Sequence, residues 1–169
     1  MINKLSLASL GLVLLSSSVF AYGPTPQRVD EHINIDADVA TVWQKVNAFD
    51  QLDKWHPAVE SITMQDETTR IVTLKSGGEI TESLDESDAD RHYIGYRLLN
   101  IEAIPVSFYT IGIEVEATDT GSKVSWSGRF YRADTGNFPP ENLNDEAAVK
   151  AMTEYAKTGL EGLKASLEK

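Results

Sequence analysis

An α+β fold is what this sequence predicts: a curved antiparallel sheet of about seven strands wrapped around one long carboxy-terminal helix. Three observations predict it. Apolar residues recur with period two in seven separate segments of the chain, the signature of half-buried strands. Residues 39–57, VATVWQKVNAFDQLDKWHP, place an amphipathic helix, a turn and a Trp-His-Pro corner directly behind the first of those segments. The carboxy-terminal part then changes to the longer period of a helix.

The amino-terminal 21 residues are expected to stand outside the fold. Lys4 supplies a positive first region, Leu5 to Leu15 an apolar stretch, and Val19-Phe20-Ala21 a small-x-small cleavage signal, the three parts of a secretory signal peptide. The apolar run is too short to span a bilayer, and Ser16-Ser17-Ser18 ends it. Residues 1–21 are therefore read as a signal peptide and residues 22–169 as one exported domain, destined for a bacterial periplasm. Cleavage after Ala21 leaves 148 residues beginning at Tyr22, a length that buries about 70% of its unfolded surface.

The chain has no cysteine, although an oxidising compartment permits disulfides. The core must hold without cross-links, and thiolate metal sites, a lipid-modified cysteine and a cysteine nucleophile are excluded. Losing Lys4 with the leader leaves 14 basic against 26 acidic residues, a net charge of −12. Such a surface repels nucleic-acid phosphates and anionic lipid, so neither nucleic acid nor membrane is an expected partner. It attracts a basic protein and keeps the chain soluble.

The elements follow in order. Residues 28–35 alternate through Val29, Ile33 and Ile35 as a strand. Asp36 or Asp38 can cap the helix that follows, a carboxylate there reaching the free N–H groups of the first turn. Val39, Val42, Trp43 and Val46 fall at i, i+3, i+4 and i+7, one buried stripe. A short helical turn over 50–54 ends before Pro57, because the residue before proline avoids the α region. Strands are expected over 59–64, 69–75, 79–84, 91–99, 108–117 and 123–133, with Gly77-Gly78 as a tight hairpin. Short connections make the sheet an antiparallel meander. After Pro139-Pro140, Asn142 or Asn144 caps a helix to about Leu167, with Val149, Met152, Ala156, Leu160, Leu163 and Leu167 as its apolar stripe. Gly159 and Gly162 interrupt that helix at about 1 kcal/mol each relative to alanine. Close packing, or room for something beneath, would account for them.

This order, with VW in the first helix, the KWHP corner, GGEITESL, the YIGYRLL strand, the IPVSFY crossover and the VSWSGRF strand, resembles the START-like polyketide cyclase/dehydrase (SRPBCC) superfamily. Within it the chain is similar to exported members named after MxaD, an accessory protein of methanol oxidation. The resemblance covers essentially all of residues 22–169. It implies the helix-grip arrangement, a long carboxy-terminal helix lying in the concave face of the sheet with a hydrophobic cavity between them. It carries over no catalytic set, since the polar pocket residues of related cyclases vary.

Period two assigns the inner faces: Ile80, Glu82 and Leu84; His92, Ile94, Tyr96 and Leu98; Ile111, Ile113 and Val115; Val124, Trp126, Gly128 and Phe130. Trp55, His56, Glu82, Tyr96, Tyr109, Trp126, Phe130 and Met152 are the candidate ligand-binding residues. Each is equally at home in an ordinary core. Glu82 is costly to bury alone, so it needs Arg70, Arg91 or a tyrosine hydroxyl as partner, or else orients a ligand or acts as a base. His56 is held between Trp55 and Pro57. No histidine spacing suggests a metal site, no glycine-rich phosphate loop or G-x-S-x-G elbow is present, and no cofactor is expected. The expected function is non-catalytic: an exported protein holding a small apolar or amphipathic molecule, or assisting a basic periplasmic partner in the manner of MxaD. The alternative is an enzyme of the polyketide cyclase/dehydratase kind, using Glu82 with His56 or a tyrosine.

Overall fold

The structure, a computed structural model, describes residues 23–168; the leader over 1–21 lies outside the described residues. Seven strands form one antiparallel sheet: β1 (Gln27–Ile35), β2 (Val59–Met64), β3 (Thr69–Leu74), β4 (Glu79–Asp88), β5 (Tyr93–Ile101), β6 (Val106–Thr118) and β7 (Gly121–Arg132). Their order across the sheet is β1-β7-β6-β5-β4-β3-β2. The meander from β2 to β7 is thus closed on one side by β1. Helix α1 (Val39–Val46) and a 3-10 turn over Phe49–Lys54 follow β1, and α2 (Asp145–Leu167) follows β7.

Both helices start where a side chain satisfies their free N–H groups. Asp38 accepts from the Thr41 backbone N–H at 2.9 Å and from its hydroxyl at 2.7 Å, so Asp38 rather than Asp36 is the cap. Asn144 accepts from the Ala147 N–H at 2.9 Å and starts α2. The far end of α2 is pinned to the end of β1. Lys164 Nζ donates to the Asn34 carbonyl at 2.8 Å, and the Asp36 N–H donates to Glu168 Oε1 at 2.6 Å. A helix of 23 residues spans about 35 Å, so these contacts hold it along the concave face.

The core lies between that face and the two helices. Val42, Trp43 and Val46 come from α1; Ala148, Met152, Ala156, Leu160 and Leu163 from α2; and Val72, Ile80, Ile94, Ile111, Ile113, Val124 and Phe130 from the sheet. Val149 and Leu167, expected in the stripe of α2, are only half-buried at its margins. Gly77 and Gly78 take positive φ of 94° and 86° in the β3–β4 hairpin, as a turn of that kind requires. Most strand boundaries differ from expectation by one to four residues, and two of the differences have a local reason. β4 runs on to Asp88 because a bulge between Leu84 and Glu86 lets it keep pairing with β5. β5 starts at Tyr93 because His92 adopts φ of 49° in the preceding turn, its ring edge-on to Trp43 at 5.8 Å.

Candidate functional site

The Trp-His-Pro corner sits under the middle of α2. The 3-10 turn ends with the His56 N–H donating to the Leu52 carbonyl at 2.8 Å. That delivers Trp55 and His56 to the interior, 6% and 1% exposed. Helix α2 can approach this corner only through its glycines. A Cβ on Gly159 would lie 2.7 Å from His56 Cδ2 and 2.8 Å from Trp126 Cζ3; one on Gly162 would lie 2.2 Å from the Trp55 carbonyl oxygen. Close packing is therefore the reason for both residues. Four rings meet beneath the helix: His56 and Tyr155 are 4.2 Å apart between centroids, Trp126 and Tyr155 5.8 Å, His56 and Trp126 5.9 Å, Trp55 and Trp126 6.1 Å.

His56 is committed on both nitrogens. Its Nδ1 accepts from the Ala58 N–H at 3.2 Å, which leaves Nε2 to carry the proton and donate to the Tyr155 carbonyl at 3.1 Å. Burial pushes its pKa down to about 4, and the nearby Arg70 charge adds to this while the Tyr155 carbonyl opposes it. The ring is thus neutral through the physiological range.

Elsewhere on the concave face lies a buried ion pair with tyrosines around it. Arg70 and Glu82 stand directly opposite each other on β3 and β4, 3% and 1% exposed. Both Nε and Nη2 of Arg70 are 2.6 Å from Glu82 Oε2, and Nη1 donates to the Phe49 carbonyl at 2.7 Å. The Tyr109 hydroxyl donates to the other carboxylate oxygen, Glu82 Oε1. The Arg70 guanidinium also lies over the Phe49 ring at 4.0 Å and the Tyr96 ring at 5.0 Å, a placement that stabilises a buried cation. Burial opposes its charge, but Glu82 outweighs that and its pKa rises. Burial, reinforced by Glu82, pushes Tyr96 and Tyr109 well above the ordinary tyrosine value, so both stay protonated. A bulge between Thr81 and Glu82 accompanies this pair. Of the partners the sequence left open for Glu82, Arg70 and a tyrosine hydroxyl are the ones used. Arg91 instead pairs with Glu86 on the surface at 3.2 Å.

The eight candidate residues separate into groups. Trp55, His56 and Trp126 share the ring cluster, Glu82, Tyr96 and Tyr109 the charged group, and Phe130 and Met152 are buried in apolar surroundings. All eight are buried. Tyr155 was missed, although its spacing with Met152, Ala156 and Gly159 is that of one helix face. Its ring is half-buried, and its hydroxyl is enclosed; burial raises its pKa far above the ordinary value. The exposed edge of Tyr155 walls a groove of about 230 Å³, with Ala58, Ala103, Ile104, Pro105 and Ala151 among the other walls. Four buried side-chain polar atoms among the described residues have no hydrogen-bond partner, and three belong to the ring cluster: Trp55 Nε1, Trp126 Nε1 and the Tyr155 hydroxyl.

The buried neutral His56 makes stability depend on pH with a definite sign. Above pH 6.5 the ring is neutral in both folded and unfolded chains and contributes no slope. Between 6.5 and about 4 the unfolded chain takes up a proton that the native one does not, so stability falls by about 3 kcal/mol in all. Urea midpoints across that window should show His56→Gln losing this part of the acid sensitivity relative to wild type. Parallel profiles would show that the ring is not held neutral.

Residues 26–168 match the family described as polyketide cyclase/dehydrase and lipid transport. Among solved structures, an uncharacterised protein from Bacillus thuringiensis is similar at 25% identity and a TM-score of 0.71, over 86% of this chain and all of that one. The protein XoxI from Bacillus cereus is similar at 26% identity and 0.69, over 84% and 94% of the two chains. The Zhui aromatase/cyclase from Streptomyces sp. R1128, at 17% identity and 0.66 over 85% and 94%, shares the fold. No curated protein matches the chain.

Proposed function

The chain belongs to the polyketide cyclase/dehydrase and lipid transport family, and from that premise we propose that it is a non-catalytic binding protein, exported to the periplasm, that holds a small apolar or amphipathic molecule between sheet and carboxy-terminal helix. The observation that carries this reading is the trio of enclosed, unpartnered polar atoms on Trp55, Trp126 and Tyr155. Buried polar groups are paired in the great majority of cases, and three orphans within one aromatic cluster suit a ligand with one or two acceptors on an apolar body. The groove beside Tyr155 provides the entry, with that half-buried ring as the movable wall.

Of the groups that could serve as acid and base, Glu82 and His56 are both engaged. Each His56 nitrogen is bonded to backbone, and the two Glu82 oxygens are taken by Arg70 and Tyr109. General acid–base catalysis needs such a group within hydrogen-bond reach of the substrate proton, which favours binding over a cyclase or dehydratase reaction. The finer reading, an accessory role like that of MxaD in periplasmic methanol oxidation, draws on the resemblance of residues 22–169 to exported MxaD-like members and on the net charge of −12 after leader removal, which attracts a basic partner.

Native mass spectrometry of the protein purified from its own periplasm tests the proposal. The expected mass is that of a chain beginning at Tyr22 with a bound small molecule, recovered chemically unchanged. An apolar probe should change tryptophan fluorescence saturably, and Trp126→Ala should weaken that response. A retained Met1 would remove the export reading. Turnover of the recovered molecule, abolished by both Glu82→Gln and His56→Ala with affinity spared, would make the protein an enzyme.

A further inference from the structure

The face of the sheet turned away from α2 holds a charge arrangement that the grip does not use. Arg28 on β1 and Arg129 on β7 stand directly opposite each other in the ladder. Both are exposed, next in sequence to the buried Val29 and Phe130 of the other face. Like charges directly opposed on neighbouring strands destabilise the pair. Neither guanidinium has a hydrogen bond or salt bridge to a described residue. This is notable in a chain with 26 acidic and 15 basic residues, where acidic partners are plentiful.

Of the other charges nearby, Asp30 on β1, opposite Ser127, and Glu114 on β6, opposite Tyr93, are also without a salt bridge to a described residue, while the two carboxylates that line the hollow, Asp85 and Glu86, are committed. Arg97, reached along the same cross-strand row through Thr110, is bonded to Asp85. Glu86 is bonded to Arg91 at 3.2 Å. Arg28 and Arg129 are left over at one end of a hollow of about 310 Å³ that they line with Tyr93, Thr110, Gly112 and Ser127; Asp85 and Glu86 line it from β4, three strands away from β7. Gly95 and Gly112, paired across β5 and β6, form part of its floor. The Tyr93 ring lies over them; a Cβ on Gly112 would come within 2.6 Å of it.

We propose that this hollow is an oxyanion-binding site, in which Arg28 and Arg129 together take the carboxylate or phosphate group of a small anionic molecule. A guanidinium presents its donors as a planar fork that matches either group. An oxyanion between two forks replaces their mutual repulsion with two charge-assisted contacts. Thr110 and Ser127 add hydroxyls at the same hollow. The site lies on the opposite face from the ring cluster, so it is independent of the function proposed for the grip.

Titrating inorganic phosphate and, separately, acetate into the protein at low, matched ionic strength tests this by amide chemical shifts. The expected result is a saturable shift at Gly112, Ser127 and their neighbours, with chloride producing none. The tighter of the two anions identifies the group the site prefers. Arg28→Ser with Arg129→Ser should weaken that binding roughly tenfold or more, as loss of charge-assisted contacts requires. Without anion, the double variant should melt at or above the wild-type temperature, since a repulsive pair has been removed; with anion, only the wild type should gain. No saturable shift with either anion, a shift that survives in the double variant, or a double variant that melts below wild type in the absence of anion would each overturn the proposal.

Discussion

Replacing Arg70 with methionine should destabilise the protein by about 3–5 kcal/mol, the range for removing one member of a buried ion pair. Glu82 is 1% exposed, and with Arg70 gone its charge would keep only the Tyr109 hydroxyl. Glu82→Leu should cost a similar amount by stranding Arg70, whose remaining contacts are the Phe49 carbonyl and two ring faces. Combining the two replacements should recover most of the loss, because the charge left uncompensated in either single variant is then absent. What remains is the Tyr109 hydroxyl without its acceptor, about 1–3 kcal/mol, which Tyr109→Phe should return. Glu79, exposed two residues from the Thr81–Glu82 bulge, should tolerate alanine with no change. Urea denaturation of these variants decides the matter. A double variant no more stable than the weaker single one would mean that the pair is not held as a unit.

The contrast between Glu82 and Glu79 also shows what was legible in the sequence. Alternation placed Ile80, Glu82 and Leu84 on one face, and a buried carboxylate demanded a partner. Which partner was not legible, because Arg70 and Glu82 meet only through the register of β3 on β4. The strands and α2 were readable because their periods are set by local geometry. Gly159 and Gly162 stood out as costs to a helix, but the reason for them is a corner about a hundred residues earlier in the chain. The expectation of a cavity came from family resemblance. The sequence does not show how far His56, Trp126 and Tyr155 occupy that space with their own rings. The convex face was the least legible part, since Arg28 and Arg129 oppose each other only once β1 has closed on β7.

Leu160→Ala should cost about 3–5 kcal/mol, toward the upper part of the range for burying and then deleting a leucine side chain. Leu160 is 2% exposed and lies on the buried face of α2 with Met152, Ala156 and Leu163. The cost of such a truncation depends on how far the surroundings can collapse into the space left behind. Here collapse is blocked on the same helix turn. Gly159 already brings the helix backbone against His56 and Trp126, and Gly162 brings it against the Trp55 carbonyl and Pro57. The helix is also tied at its end through Lys164 to Asn34 and Glu168 to Asp36, so it cannot slide to close the gap. Leu167, half-buried at the margin, has no such constraint and should lose about 1 kcal/mol or less on replacement by alanine. A Leu160→Ala variant with an unchanged urea midpoint, or one no worse than Leu167→Ala, would show that α2 is not clamped against the Trp-His-Pro corner.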